Sequence, residues 1–207
     1  MTLPDGTVHK GNVFLKAAIR HACWQVGDYT YANEFDPPEN PEDWASRLAP
    51  YLFPSAADKI IIGKFGQIAH GVRFITDGAN HAREGFSTFP FGIHQPERFG
   101  AYAASLRPGR DITLGHDVWV GTGARILAGA QIGNGVIIGA GAVVSGVIPD
   151  YAIIAGNRAT ILRMRFDPDT IAALNEIAWW DWPIGTILTH EAAITGADLA
   201  ALRVAAR

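Results

Sequence analysis

The feature that most restricts how this chain can fold is a six-residue beat. Every sixth residue from Leu114 gives Leu114, Val120, Ile126, Ile132, Ile138 and Val144, an unbroken aliphatic column. Four residues after each stand Val118, Ala124, Ala130, Val136, Ala142 and Ile148, all small or β-branched. The position directly after the column is Gly115, Gly121, Leu127, Gly133, Gly139 and Ser145, mostly glycine. An α-helix would bury residues three and four apart, and each interior glycine would cost it about 1 kcal/mol. A hexapeptide period instead describes a parallel β-helix, in which six residues make a short strand plus a corner, and stacked coils pile equivalent positions into ladders. The aliphatic column then fills the core, and glycine tolerates corners that a Cβ would strain.

The same beat occurs earlier at Ile62, Ile68 and Phe74, and more faintly at Val26 and Ala32. These two stretches share a phase, but Phe74 and Leu114 are out of step with each other, so an arm leaves the coils between them and returns. The reading is a single domain over residues 1–207, with an all-β core from about 8 to 155. Excursions are expected at 32–59 and 81–111. Pro37, Pro38, Pro41, Pro50 and Pro54 prevent the first from continuing a ladder, and a short helix is expected around 43–49. The second is long enough to be functional and too aromatic for a linker, which predicts that Phe86, Phe89 and Phe91 bury against something.

From about 160 to 207 the pattern turns helical. Asp167 reads as an N-cap, Pro168 as the first helical position, and Ile171, Leu174 and Ile177 or Ala178 as one face, with Pro183 as the stop. A last helix is expected over about 195–206. Such helices are expected to cover the open edge of the final coil.

Composition narrows the function. A net charge of -3 gives no general attraction to nucleic acid or to an anionic membrane. The single cysteine, Cys23, has no internal partner, and beside Ala22 and Trp24 it reads as a small buried residue rather than a nucleophile. The first residues lack the apolar stretch of a signal peptide or membrane span, which predicts a cytoplasmic protein.

The residue that asks for chemistry is His81, which follows Asn80 where the ladder gives way to the arm in "FITDGANHAREGFSTFPFGI". Locally it is equally a turn residue, since Asn tolerates the left-handed region. His70 and His116 inside coils and His94 in the arm read as structural or exposed.

In combination, "IIGKF", "GANH", "HDVWVGTGARILAGAQIGNGVIIGAGAVV" and "RFDPDTIAALNEIAWWDWP" resemble the xenobiotic acyltransferases. That family includes the streptogramin A acetyltransferases and type B chloramphenicol acetyltransferases of the left-handed β-helix superfamily. The resemblance runs from about Val26 to Trp182. It implies an acetyl-CoA-dependent O-acetyltransferase that needs no metal, works as a homotrimer with sites between subunits, and acts on a small-molecule alcohol. Streptogramin A is favoured and chloramphenicol comes next.

His81 matches the family's catalytic histidine, a general base. Trp119, Thr122 and Ala140 match positions lining the coenzyme A tunnel, and Arg158 and Arg163, with Arg165 nearby, match the phosphate end, where a guanidinium fork suits the ligand. Related sugar acetyltransferases often carry lysine where Gly146 stands. Tyr31 and Phe53 match acceptor-contacting aromatics, Phe53 standing in place of a tyrosine, and Asn80 adjoins the base.

Three rivals share the architecture. One is an O-acetyltransferase of sugars or other metabolites, and another is a zinc lyase, which would need a histidine partner close to His116 that the chain lacks. The third is a noncatalytic scaffold subunit, for which the pairing of His81 with the arginines has no use.

Overall fold

The computed structural model describes residues 5–7, 9–54, 56–106 and 109–206. The chain climbs through three sheets in rotation. One sheet has five strands in the order Val147–Ile148, Gln131–Ile132, Ile112–Leu114, Ile60–Ile62 and Trp24–Val26, all parallel. A second has Val143–Val144, Arg125–Leu127 and Arg73–Ile75, again parallel. The third has seven strands: Asn12–Phe14, Tyr31–Asn33, Gln67–Ile68, Trp119–Val120, Ile137–Ile138, Ala152–Ala155 and Thr160–Met164. Its five inner strands are parallel, and an antiparallel strand closes each edge.

Every member of the aliphatic column from Leu114 to Val144 is buried, as are Ile62, Ile68, Phe74 and the small residues from Val118 to Ile148. Each fully buried aliphatic side chain contributes about 1.5–3 kcal/mol, so this column is the main source of stability. Register explains the phases. Later coils return after 18 residues, as His116 to Asn134. Thr30 and Gly66 are joined across 36 residues, a whole number of hexapeptides, whereas Lys64 and His116 are joined across 52, which is not. The first excursion therefore preserves the beat and the second breaks it.

One corner shows why the glycines are needed. At Gly27, Gly63 and Gly115 a Cβ would sit 2.5–2.6 Å from atoms of the coil above. Side chains along this corner serve the backbone of the coil below, His116 after Gly115 and Asn134 after Gly133 among them. Lys64 N–H donates to His116 Nδ1 at 3.0 Å, His116 N–H to Asn134 Oδ1 at 2.8 Å, and Asn134 N–H to Asp150 Oδ1 at 2.6 Å. The C-terminal segment docks along this same corner. Asn175 Nδ2 donates to Asp150 Oδ2 at 2.7 Å, Trp180 stacks on His116 with ring centroids 5.1 Å apart, and Lys64 pairs with Asp181 at 2.9 Å.

Several expectations need correcting. The strand Tyr31–Asn33 stays in the ladder, so the first excursion begins at residue 34; its helix spans Trp44–Leu48. The arm leaves after Ile75, rejoins at Ile112, and carries a helix, Pro96–Ser105. Phe86, Phe89 and Phe91 are exposed within this chain, because the arm packs chiefly on itself: Phe89 meets Phe91 at 4.7 Å. Helix Pro168–Ile177 has the Asp167 cap, accepting from Thr170 N–H, but it stops where Ala178 turns left-handed (φ 44°). Pro183 instead precedes the next helix, Ile184–Thr189.

The final helix is shorter than expected, Leu199–Ala205 with Asp198 as cap. The edge of the last coil on the seven-stranded sheet is covered by strand Thr160–Met164 rather than by helices, which flank a corner. Cys23 is half-buried, its Sγ 3.5 Å from Ala56 O. The predicted start of the β-structure near residue 8 lies outside the described residues.

Two outcomes follow from this corner, and Gly100→Ala in the arm is the control for the first. Gly115→Ala forces a Cβ to within 2.5 Å of Asn134 Oδ1 and 2.8 Å of Asn134 N, and overpacking of this kind costs about 1–3 kcal/mol in chemical denaturation. Gly100→Ala, in helix Pro96–Ser105 with nothing within 4 Å, should be neutral or stabilising by up to about 1 kcal/mol. Second, burial, aided by Lys64 and opposed by Asp181, lowers the pKa of His116 from 6.5. The unfolded chain then binds the proton more readily, so stability falls as pH drops below about 6.5. His116→Asn, which keeps an acceptor for Lys64 N–H, should flatten that limb of a stability–pH curve; an unchanged slope refutes the assignment.

Candidate active site

The arm's departure is built from residues distant in sequence. Thr76 Oγ1 donates to Tyr51 O at 2.9 Å, and Asp77 N–H donates to the buried Asp58 Oδ2 at 3.0 Å. Arg110, at the arm's return, clamps Asp77 in a fork: Nε to Oδ2 at 3.0 Å and Nη2 to Oδ1 at 2.9 Å, with its backbone N–H also on Oδ2. That guanidinium holds the Asp77 carboxyl below the usual carboxylate range. Asp77 Oδ1 also accepts from Asn80 Nδ2 at 2.9 Å. Both ends of the arm are thus tied to one carboxylate directly upstream of His81.

His81 is exposed, and its Nδ1 lies 3.0 Å from Thr88 O. A carbonyl oxygen only accepts, so Nδ1 carries the proton, and in the neutral ring Nε2 keeps its lone pair. Phe53 belongs to the same neighbourhood, its ring 3.3 Å from where a Cβ on Gly78 would stand. Asn80 and His81 line one cavity, whereas Phe53 lines a separate one with Trp24 and Pro54.

The remaining candidates occupy the seven-stranded sheet. Cα register aligns Tyr31, Gln67, Trp119, Ile137, Ile153 and Arg163 in one row. Their neighbours Ala32, Ile68, Val120, Ile138 and Ile154 are buried, so the row faces outward. With strands about 4.8 Å apart it spans about 24 Å. At the adjoining corner Thr122 and Ala140 stack, with Gly141 N–H donating to Thr122 O at 2.8 Å and Ala140 N only 2.7 Å from a Cβ built on Gly121. Tyr31, Trp119 and Thr122 line one groove of about 120 Å³ together with Gln67, Phe35 and His70.

Arg158 is exposed in the turn before strand Thr160–Met164, and Arg163 lies on that strand, exposed at the far end of the row. Arg165 is committed elsewhere: it donates to Gly135 O at 2.7 Å, approaches Asp117 at 3.7 Å, and lies over the rings of Tyr151 and Phe166. The predicted residues thus fall apart within one chain: Asn80 and His81 in the arm, Phe53 in the first excursion, and the rest on the seven-stranded sheet or its adjoining corner and turn. The cavity at His81, lined by Asp77, Asn80, Ser105 and Leu106 among others, shares no residue with the Trp119 groove.

Sequence reasoning missed Asp58, Asp77, Thr88 and Arg110. Asp77 and Arg110 lie 33 residues apart with no spacing signal to pair them. Among the described residues no group of three His, Cys, Asp or Glu side chains is placed to hold a metal ion, and no helix is long and apolar enough to cross a membrane.

The bacterial transferase hexapeptide (six repeats) family model matches residues 111–146. A chloramphenicol acetyltransferase of Agrobacterium fabrum is 38% identical over 180 residues, covering 86% of this chain and 84% of that protein. A virginiamycin A acetyltransferase of Staphylococcus aureus is 36% identical over 203 residues, covering 94% and 88%. Among solved structures, a hexapeptide-repeat acetyltransferase of Vibrio cholerae complexed with acetyl coenzyme A superposes with a TM-score of 0.42 at 20% identity, over 70% of this chain and 62% of that one. At the identity and coverage of these curated relatives, the chain belongs to the xenobiotic acyltransferase family of hexapeptide-repeat acetyltransferases.

Proposed function

We propose that this acetyltransferase moves the acetyl group of acetyl-CoA to a hydroxyl of an antibiotic or similar xenobiotic, streptogramin A first and chloramphenicol next, with His81 as general base. The observation that carries the base is the contact of His81 Nδ1 with Thr88 O, which leaves Nε2 free to take a proton. The acceptor class is supported by the names of the relatives, one for chloramphenicol and one for virginiamycin A.

An alcohol is a poor nucleophile at neutral pH. His81 Nε2 removes its proton as the oxygen attacks the thioester carbonyl, and the imidazolium returns the proton to the departing thiolate sulfur. The products are an acetate ester and free coenzyme A thiol. Trp119, Thr122 and Ala140 supply the track for the donor's pantetheine arm, with Arg158 and Arg163 at its phosphate end. The row that runs from Tyr31 through Trp119 to Arg163 supports this direction.

Because one chain holds His81 in the arm and Trp119 on the seven-stranded sheet, in cavities that share no residue, the reading completes the site between subunits of a cytoplasmic homotrimer of left-handed β-helices. The exposed Phe86, Phe89 and Phe91 of the arm give such an interface apolar area to cover.

His81→Ala should lower kcat by about 10²–10⁴-fold in a thiol-release assay while acetyl-CoA binding persists; unchanged turnover removes His81 from the mechanism. Arg163→Ala should raise KM for acetyl-CoA about tenfold, the worth of a charge-assisted contact, and leave KM for the alcohol unmoved. A shift in the alcohol's KM alone would place the arginine at the wrong end of the row.

A further inference from the structure

The groove holding Tyr31, Trp119 and Thr122 contains a second imidazole, that of His70. Register places His70 in the corner column of Thr122 and Ala140, since Arg73 pairs with Arg125 and Arg125 with Val143. His70 therefore stands one coil beyond Thr122, at the end of the track away from Arg158 and Arg163. This is the end where the proposed reading puts the acyl group and the acceptor, on which the inference rests.

His70 is not a free surface ring. Its Nδ1 lies 2.5 Å from Oε2 of Glu34, whose side chain is 1% exposed. The other carboxylate oxygen, Oε1, is served by Arg73 Nη1 at 3.1 Å and Gly71 N–H at 3.4 Å, with Arg47 Nε at 3.9 Å. Phe35 N–H also points at Nδ1, from 3.2 Å. One nitrogen cannot accept from Phe35 and donate to Glu34. Oε2 has no hydrogen bond of ordinary geometry, and a bare Nδ1 at 2.5 Å would set lone pair against lone pair on an enclosed carboxylate, whereas the exposed Phe35 amide has water as an alternative. The proton therefore sits on Nδ1.

The ring leans on Phe35 with centroids 4.7 Å apart and keeps 33% of its side-chain surface open. With Nδ1 committed to the interior, the open edge in the groove is that of Nε2. In the neutral ring it carries a lone pair and can only accept.

The proton of the reacting hydroxyl is assigned to His81, so whatever donates to His70 is a different group on the acceptor. We infer that His70, oriented by the buried Glu34, determines specificity by accepting a hydrogen bond from a second hydroxyl of the acceptor. The enzyme then favours diols over mono-alcohols of the same shape. A hydroxyl suits a groove of about 120 Å³ because it is compact and can rotate to meet the lone pair.

The test compares kcat/KM for chloramphenicol, a 1,3-diol, with that for its analogue lacking the C1 hydroxyl. The wild type should prefer the diol about tenfold, the worth of one hydrogen bond to a neutral group. His70→Phe keeps the stacking on Phe35 and removes the acceptor atom. That variant should bring the ratio close to one while KM for acetyl-CoA stays within twofold, with its melting temperature reporting that it is folded. The wild-type preference is measured independently of the variant, so it tests the inference even where the variant does not fold. A wild type that acetylates other alcohols without preferring the diol overturns this inference alone, as does a folded His70→Phe that retains the full ratio or loses affinity for acetyl-CoA instead. A wild type that acetylates no alcohol at all removes the underlying reading as well.

Discussion

The structure depends on backbone meeting backbone at the corners of stacked coils. Gly63 lies against Gly115 and His116, and Gly115 against Gly133 and Asn134, at separations that leave no room for a Cβ. This closeness lets each strand bond to equivalents in the coils above and below, so the ladder satisfies its own polar groups. A coil held in this way needs nothing from what lies outside its corners. Chain can leave at one corner and return, as it does after Ile75, without disturbing the register of Phe74 on Ile126. The rigid body and the variable chemistry are thereby separated, which suits a site needing a firm scaffold for one substrate and a shaped arm for another.

That separation decides what was legible in the sequence. The core column could be read at once because a period repeated over many coils admits few alternatives. The arm's existence could also be read, from the phase lost between Phe74 and Leu114. Its boundaries were misplaced by a few residues because Thr76 to Asn80 keep turn-forming character after the ladder has ended. The C-terminal helix was legible at its start, where Asp167 and Pro168 are local signals. It was misread at its end, where a non-glycine residue, Ala178, takes the left-handed conformation. No local rule anticipates that, since the packing of Trp179 and Trp180 onto the coil supplies the compensation.

The candidate site compares differently. His81 was singled out from a short motif as the proposed base, but the Asp77–Arg110 clamp joins the two ends of the arm and has no signature in either. His70 read as a coil histidine with a structural part, and half of that stands. Its Nδ1 is structural, spent on Glu34, while its other edge lines the groove. A residue inside a repeat is easily taken for packing, because the repeat explains its backbone so well. Column position alone does not say which way a corner side chain leans.

The two imidazoles share one device and differ in what applies it. Each has its Nδ1 proton fixed by an oxygen, so each presents Nε2 outward. For His81 the oxygen is a carbonyl within the arm itself, and for His70 it is a buried carboxylate ringed by Arg73 and Arg47. A carbonyl orients a ring without adding a full charge, which suits the role of base proposed for His81, since such a group must take up a proton and release it within one turnover. A carboxylate that is already partly neutralised by arginine holds its ring more firmly, which suits a group that positions a ligand and keeps its own protons. In the proposed mechanism rigidity therefore falls on the recognition side, in the coil, and adjustability on the reacting side, in the arm. Exposed aromatic rings on the arm extend the same division: their apolar area gives it a reason to seek a second surface, and the ring nitrogen of His81 is carried wherever that surface lies.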